Sequence, residues 1–233
     1  MPRHLIVLAA LLLPLPAYAQ PAQIIIVRHS EKLDDYALCD MGKTRADALS
    51  EQYLGRGSAQ SLFGAGGKPD AMIAMTMHTI DTITPAAQSW NIPVTAYTVI
   101  PAKGGKDRAE ELQENVRTQE AAKDVLNDAQ YGGKNVVMMW EHERIASQEL
   151  EAKFPGEQVT LRQLLHLDQV AGVPDRWPDE TYDYFWIVDF APGNSVPVSF
   201  RMVRQVFAAP FDPLPSNGWG EPEPRHIAAG CLR

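Results

Sequence analysis

The sequence predicts an α/β protein of three layers, with helices on both faces of a mostly parallel central sheet. Two observations lead there. Residues 24–27 (IIIV) and 135–140 (NVVMMW) are short apolar runs of the kind found in strands covered on both faces. Stretches with helical spacing lie between such runs, and strands that alternate with helices build a parallel sheet.

The elements follow in order. Residues 1–19 carry Arg3, an apolar stretch over 5–13 and the triplet Ala17-Tyr18-Ala19. That is the pattern of a secretory signal peptide cut after Ala19. The competing reading is an uncleaved anchor. Against it, the run falls short of the roughly 18–20 residues a bilayer span needs, and Pro14 and Pro16 interrupt it. No later segment is long and apolar enough to span a membrane. Residues 20–233 are expected to form one domain, with an irregular proline-rich tail from about residue 210.

Within that domain the first strand is 24–27. A helix over 42–54 follows, since Ala46, Leu49 and Tyr53 recur at helical spacing. Residues 55–70 form a loop rich in Gly and Ser, and 71–76 a second strand. A helix over 80–90 tolerates Pro85 only near its first turn or at a kink. Then come a strand at 94–99, a polar helix at 109–126, a turn at Tyr131-Gly132-Gly133 and the strand at 135–140. A helix over 145–153 and a late strand over 182–190 complete the series. There is no internal repeat.

Charge narrows the function. The formal net charge is −8, more negative still without Arg3. Nothing favours nucleic acid, which wants a basic footprint. An anionic substrate would need a local positive pocket. The chain is long enough to bury a sizeable core and requires no disulfide framework. Cys39 and Cys231 could pair in an oxidising compartment or remain thiols, and spacing does not choose between these.

Two strands end in chemistry. Arg28-His29 lies at the carboxyl end of the first, and Glu141-His142-Glu143 at the carboxyl end of another. Ligands of open α/β sheets bind beyond that edge. A histidine with a fixed tautomer is a nucleophile. Arginine offers a forked, permanently charged donor to phosphate oxygens, and a second histidine can donate to the same oxygens. Together these residues suit phosphoryl transfer through a phosphohistidine. The bland alternative is a buried salt-bridge cluster at a strand end. His166 and His226 read as ordinary loop or surface histidines.

Four segments carry a resemblance: IIIVRHSEK, MGKTRADALSEQYL, MHTIDTITPAAQSWNIPV and NVVMMWEHERI. In this order they resemble the histidine phosphatase superfamily, the relatives of phosphoglycerate mutase, over roughly residues 24–150. Gly42, Arg45, Ala46 and Leu49 match its Gly-x-x-Arg-Ala-x-x-Leu motif. RWPDETYDYFWIVDF (176–190) is similar to the closing strand of exported relatives of a Trp-Glu-His type. The resemblance implies a phosphoglycerate mutase-like fold and a phosphatase with no cofactor and no metal. It implies His29 as the phosphorylated nucleophile, Arg28 as a phosphate ligand, and His142 as the second histidine at the transferring group. Those roles fit fixed donors around spreading negative charge.

Three positions depart from the pattern. Ser30 stands for a glycine. His78 stands where a second phosphate-binding arginine is implied, so a protonated His78 or Lys32 would have to take over that role. Glu141 stands where relatives carry a small hydroxyl. A protonated Glu141 could donate to a leaving oxygen, which makes it the first candidate general acid, before Glu143 and Glu111. The competing reading pairs Glu141 with Arg28 or Lys32.

The expected product is thus a periplasmic or secreted phosphomonoester hydrolase, of weak activity if the clamp is incomplete, acting on a small phosphorylated substrate. One alternative is a phospho-ligand or partner-binding module of the same fold. The other is a metal site built from His29, Glu31, His78, Glu141, His142 and Glu143. No H-E-x-x-H spacing supports the metal site, and Arg28 would repel a cation. Neither the phosphoester nor the oligomeric state is written in the sequence.

Overall fold

The computed structural model describes residues 20–64, 66–101, 107–222 and 230–232. The predicted leader at 1–19 and His226 lie outside them.

Among the described residues the strands are β1 (Gln23–Arg28), β2 (Ala71–Ala74), β3 (Val94–Ala96), β4 (Asn135–Trp140), β5 (Tyr184–Asp189) and β6 (Ser199–Arg204). They form one sheet in the order β3-β2-β4-β1-β5-β6. The pairs β2–β3, β2–β4 and β1–β4 are parallel, whereas β1–β5 and β5–β6 are antiparallel. The helices are α1 (Asp40–Leu49), α2 (Met77–Trp90), α3 (Arg108–Asn127), α4 (His142–Ile145), α5 (Gln148–Lys153) and α6 (Leu161–Leu164).

The period of two in β1 and β4 decides the layers. Ile24, Ile26, Val136 and Met138 pack with Ala121, Ala122 and Val125 of α3 and Leu161 of α6. Ile25, Val27, Val137 and Met139 pack on the opposite side with Leu49 of α1 and Ile83, Ala86 and Ala87 of α2. The result is the expected α/β/α arrangement, with both faces of the central strands covered.

Several elements differ from expectation for local reasons. The helix expected over 80–90 begins at Met77, because Thr76 and Thr79 form a reciprocal capping box. Pro85 therefore sits well inside α2 rather than in its first turn. The helix expected over 145–153 is split into α4 and α5: Ser147 is extended, and its hydroxyl caps the amide of Leu150. The helix expected to end at 54 leaves the α form at Leu49 and closes in a π-helical turn, Ser50–Leu54. β6 was not foreseen; Arg201 and Arg204 break up its apolar residues.

Two packing features reach the site. A Cβ on Gly42 would lie 2.1 Å from the Glu31 carbonyl oxygen, so only glycine lets α1 approach the segment after His29. Cys39 and Cys231 are joined in a disulfide, which answers the question their spacing left open.

Candidate phosphoryl-transfer site

Register builds the centre of the site. Arg28 lies opposite Trp140 in the β1–β4 pair, and the amide of His29 donates to the Trp140 carbonyl. His29 and Glu141 therefore leave the sheet side by side. His29 Nδ1 is 2.7 Å from the Ser30 carbonyl oxygen, which can only accept, so Nδ1 carries the proton. Nε2 keeps its lone pair, is buried and has no hydrogen-bond partner. It faces Glu141 Oε2 at 3.3 Å. This contact is close without being a hydrogen bond, since neither atom brings a proton to it. Burial, chiefly, holds the pKa of His29 well below its ordinary value of 6.5, with Lys32, Arg28 and His142 adding to the effect against the opposing pull of Glu141.

Arg28 is held on several sides. Its Nη1 donates to the carbonyls of Asp179 (2.7 Å), Thr181 (3.0 Å) and Pro178 (3.2 Å). Its guanidinium carbon sits 3.8 Å from the centre of the Tyr182 ring. Its Nη2 donates to His142 Nδ1 at 3.3 Å. The proton of His142 is then on Nε2, which donates to Asp179 Oδ1 at 3.0 Å. Burial and Arg28 lower the pKa of His142, and Asp179 partly offsets them. The rings of His29 and His142 lie 5.7 Å apart, nearly edge to face. Two neutral imidazoles thus meet beside one guanidinium.

Glu141 follows the competing reading. Lys32 Nζ pairs with Oε2 at 2.9 Å, and the Thr76 hydroxyl donates to Oε1 at 2.6 Å. Burial raises its pKa, yet Lys32 and the Thr76 hydroxyl outweigh burial and hold it well below the ordinary 4.5. At rest Glu141 is an anion, not the protonated acid that the sequence suggested. The other two acid candidates are elsewhere. Glu111 pairs with Lys153 and Arg108, and Glu143 is exposed at the start of α4.

His78 is close, its ring 6.1 Å from that of His29, but it does not supply a cation. Nε2 donates to the Asp34 carbonyl at 2.7 Å. Burial and Lys32 keep its pKa below the ordinary value. The replacement of the implied arginine therefore leaves a neutral ring whose N–H is already used. Lys32 is the cation in reach instead.

The larger ligand set of the metal alternative does not assemble. Glu31 is buried in a bidentate pair with Arg45, and His78 is turned to Asp34. Among the described residues His29, Glu141 and His142 offer ligand atoms within 4.8 Å of one another. Yet Arg28 occupies His142 Nδ1 and Lys32 occupies Glu141, and both repel a cation at that point.

Three participants escaped the sequence reading: Asp179, Tyr182 and Thr76. Asp179 and Tyr182 precede β5, which runs antiparallel to β1, so its start and the end of β1 share one edge. Thr76 had a usable signal, a Thr just before an apolar helix.

No protein-family model matches the sequence, and no curated protein does either. Solved structures similar to the chain include phosphatases of the histidine phosphatase superfamily. A mycobacterial glucosyl-3-phosphoglycerate phosphatase is similar over 81% of this chain and 100% of its own, at 14% identity and TM-score 0.43. Its complex with VO3 is similar over 79% and 99%, at 14% identity and TM-score 0.42. SixA from Agrobacterium tumefaciens, described as a phosphohistidine phosphatase, is similar over 79% and 97%, at 15% identity and TM-score 0.35. At such values the likeness decides nothing about the site, whose reading rests on the geometry above.

Proposed function

We propose that the chain is a phosphomonoester hydrolase of the histidine phosphatase superfamily, acting through a phosphohistidine on His29. The observation that carries this reading is the state of His29. Its Nδ1–H is tied to Ser30, and its Nε2 lone pair is buried, unpartnered and flanked by Arg28 and His142. A neutral imidazole held in one tautomer is what nucleophilic attack requires.

In the proposed reaction Nε2 attacks phosphorus and the P–O bond to the alcohol breaks. Arg28 holds the equatorial oxygens, and His142 joins it by turning its Nε2–H from Asp179 Oδ1 to the phosphoryl group. The leaving oxygen takes a proton from Glu141. A phosphate dianion beside Glu141 competes for Lys32 and adds repulsion, and both effects raise the carboxyl pKa toward the protonated form. Water then attacks the phosphohistidine while Glu141 takes its proton back, releasing inorganic phosphate. No step calls for a metal.

We further propose export, with cleavage after Ala19. The A-x-A triplet supports this, as does the Cys39–Cys231 bridge, since disulfides persist in oxidising compartments. A second reading, a phospho-ligand binding module, is favoured by two observations: Arg28 Nη1 already serves three carbonyls, and no arginine stands at position 78.

The test is turnover of phenyl phosphate together with acid-quench trapping and mapping of a phosphorylated residue. Turnover and label on His29, both lost in His29→Ala, support hydrolysis. Phosphate binding with no turnover supports the module. Turnover that survives His29→Ala, or that a chelator removes, refutes the phosphohistidine mechanism.

A further inference from the structure

We propose that segment 230–232, fastened by the Cys39–Cys231 bridge, is a wall of the substrate cavity, and that Leu232 limits the size of the leaving group. The proposal rests on the phosphatase reading above. A cavity of about 210 Å³ opens beside the site, lined among others by Lys32, Thr76, His78, Pro101, Glu141 and Leu232. Glu141 is both a wall of this cavity and the nearest carboxylate to His29 Nε2. An ester phosphorus attacked in line by Nε2 therefore directs its leaving oxygen away from His29, toward Glu141 and the cavity. Leu232 and Pro101 offer that space its apolar surface, and Leu232 is half exposed, with area left for a ligand to cover.

The segment is pinned at two points to the same short stretch of chain. Cys231 is bonded to Cys39, whose amide donates to the Glu31 carbonyl. The Leu232 amide donates to the Lys32 carbonyl at 2.7 Å. Lys32 in turn pairs across to Leu38 in a short antiparallel bridge, and its ammonium reaches Glu141. One residue thus holds the wall with its backbone and the candidate acid with its side chain. The bridge joins residues 192 positions apart, and without it the backbone bond from Leu232 to Lys32 is the contact that remains among the described residues to hold Leu232 there. Leu232 is a positioning and size-selecting residue here; it touches the leaving group and not the phosphorus.

The experiment compares KM and kcat for phenyl phosphate and 1-naphthyl phosphate, using the oxidised full chain. Leu232→Trp narrows the cavity and is expected to raise the naphthyl-to-phenyl KM ratio roughly tenfold, the scale on which apolar pockets discriminate. Leu232→Ala is expected to lower the same ratio. Both variants keep the disulfide, so they test the wall even where loss of the bridge impairs folding. Cys231→Ser, checked for a folded state by thermal melting, is expected to raise KM for both substrates and bring the ratio towards that of Leu232→Ala. An unmoved ratio in both Leu232 variants overturns the proposal. Wild-type protein that turns over neither substrate removes the phosphatase reading, and this proposal with it. Wild-type protein that turns over both, with the ratio fixed, removes this proposal alone.

Discussion

Arg45→Met removes a cation that pairs with two buried carboxylates. The Arg45 guanidinium donates to Glu31 from Nε (2.9 and 3.0 Å) and from Nη2 (2.7 Å), and to Asp183 from Nη1 (2.8 Å). Glu31 and Asp183 are 4% and 1% exposed, so neither has water to turn to. Burial alone would lower the pKa of Arg45, but the two carboxylates outweigh it and hold the pKa above its ordinary value. Burial raises the pKa of Asp183, and a shared arginine does not fully offset that. Methionine fills much of the volume and brings no charge. Removing one partner of a buried pair costs about 3–5 kcal/mol, a large part of an ordinary stability of about 5–15 kcal/mol. With a urea slope of about 2–3 kcal/mol/M, the midpoint should fall by about 1–2.5 M. Urea unfolding followed by tryptophan fluorescence reads this. Adding Glu31→Gln to Arg45→Met should return roughly 0.5–3 kcal/mol, because one stranded charge is gone. A loss under about 1 kcal/mol, or no return in the double variant, refutes the reasoning. Glu31 is two residues past His29, so the variant should lose turnover along with stability.

Three further outcomes are expected. Glu141→Gln should slow alkyl phosphates far more than aryl phosphates, because a good leaving group hardly needs a proton; equal loss on both, by steady-state kinetics, removes Glu141 as the acid. The native pKa of His29 lies below 6.5, so the unfolded chain takes up a proton there that the native chain refuses. Stability should therefore fall as pH drops through about 6.5, and the melting temperature of His29→Asn should fall less between pH 7.5 and 5.5; parallel slopes would contradict the burial argument. Glu141, held below 4.5, contributes stability of the same sign that is lost at lower pH still. Gly42→Ala places a Cβ 2.1 Å from the Glu31 carbonyl oxygen and 3.0 Å from its nitrogen, both rigid backbone; an overpacking cost of about 1–3 kcal/mol is expected in the same urea assay.

The sequence by itself determined what local pattern can carry. The apolar runs of β1 and β4 marked buried strands, and alternation with helices marked an α/β sheet. The rule that ligands gather at the carboxyl edge then put Arg28-His29 and Glu141-His142 together before any contact was known. Tertiary structure decided what depends on partners. The register of Arg28 with Trp140 set His29 beside Glu141, with His142 one step behind against Arg28. The apolar run of β5 reads the same in either direction, so nothing local showed that it is antiparallel and delivers Asp179 and Tyr182 to the site. Lys32, Glu31 and His78 all looked available in the sequence. The fold gave them Glu141, Arg45 and the Asp34 carbonyl as partners. A buried polar group takes whichever complementary group packing brings within reach, and that choice is made by contacts far apart in the chain.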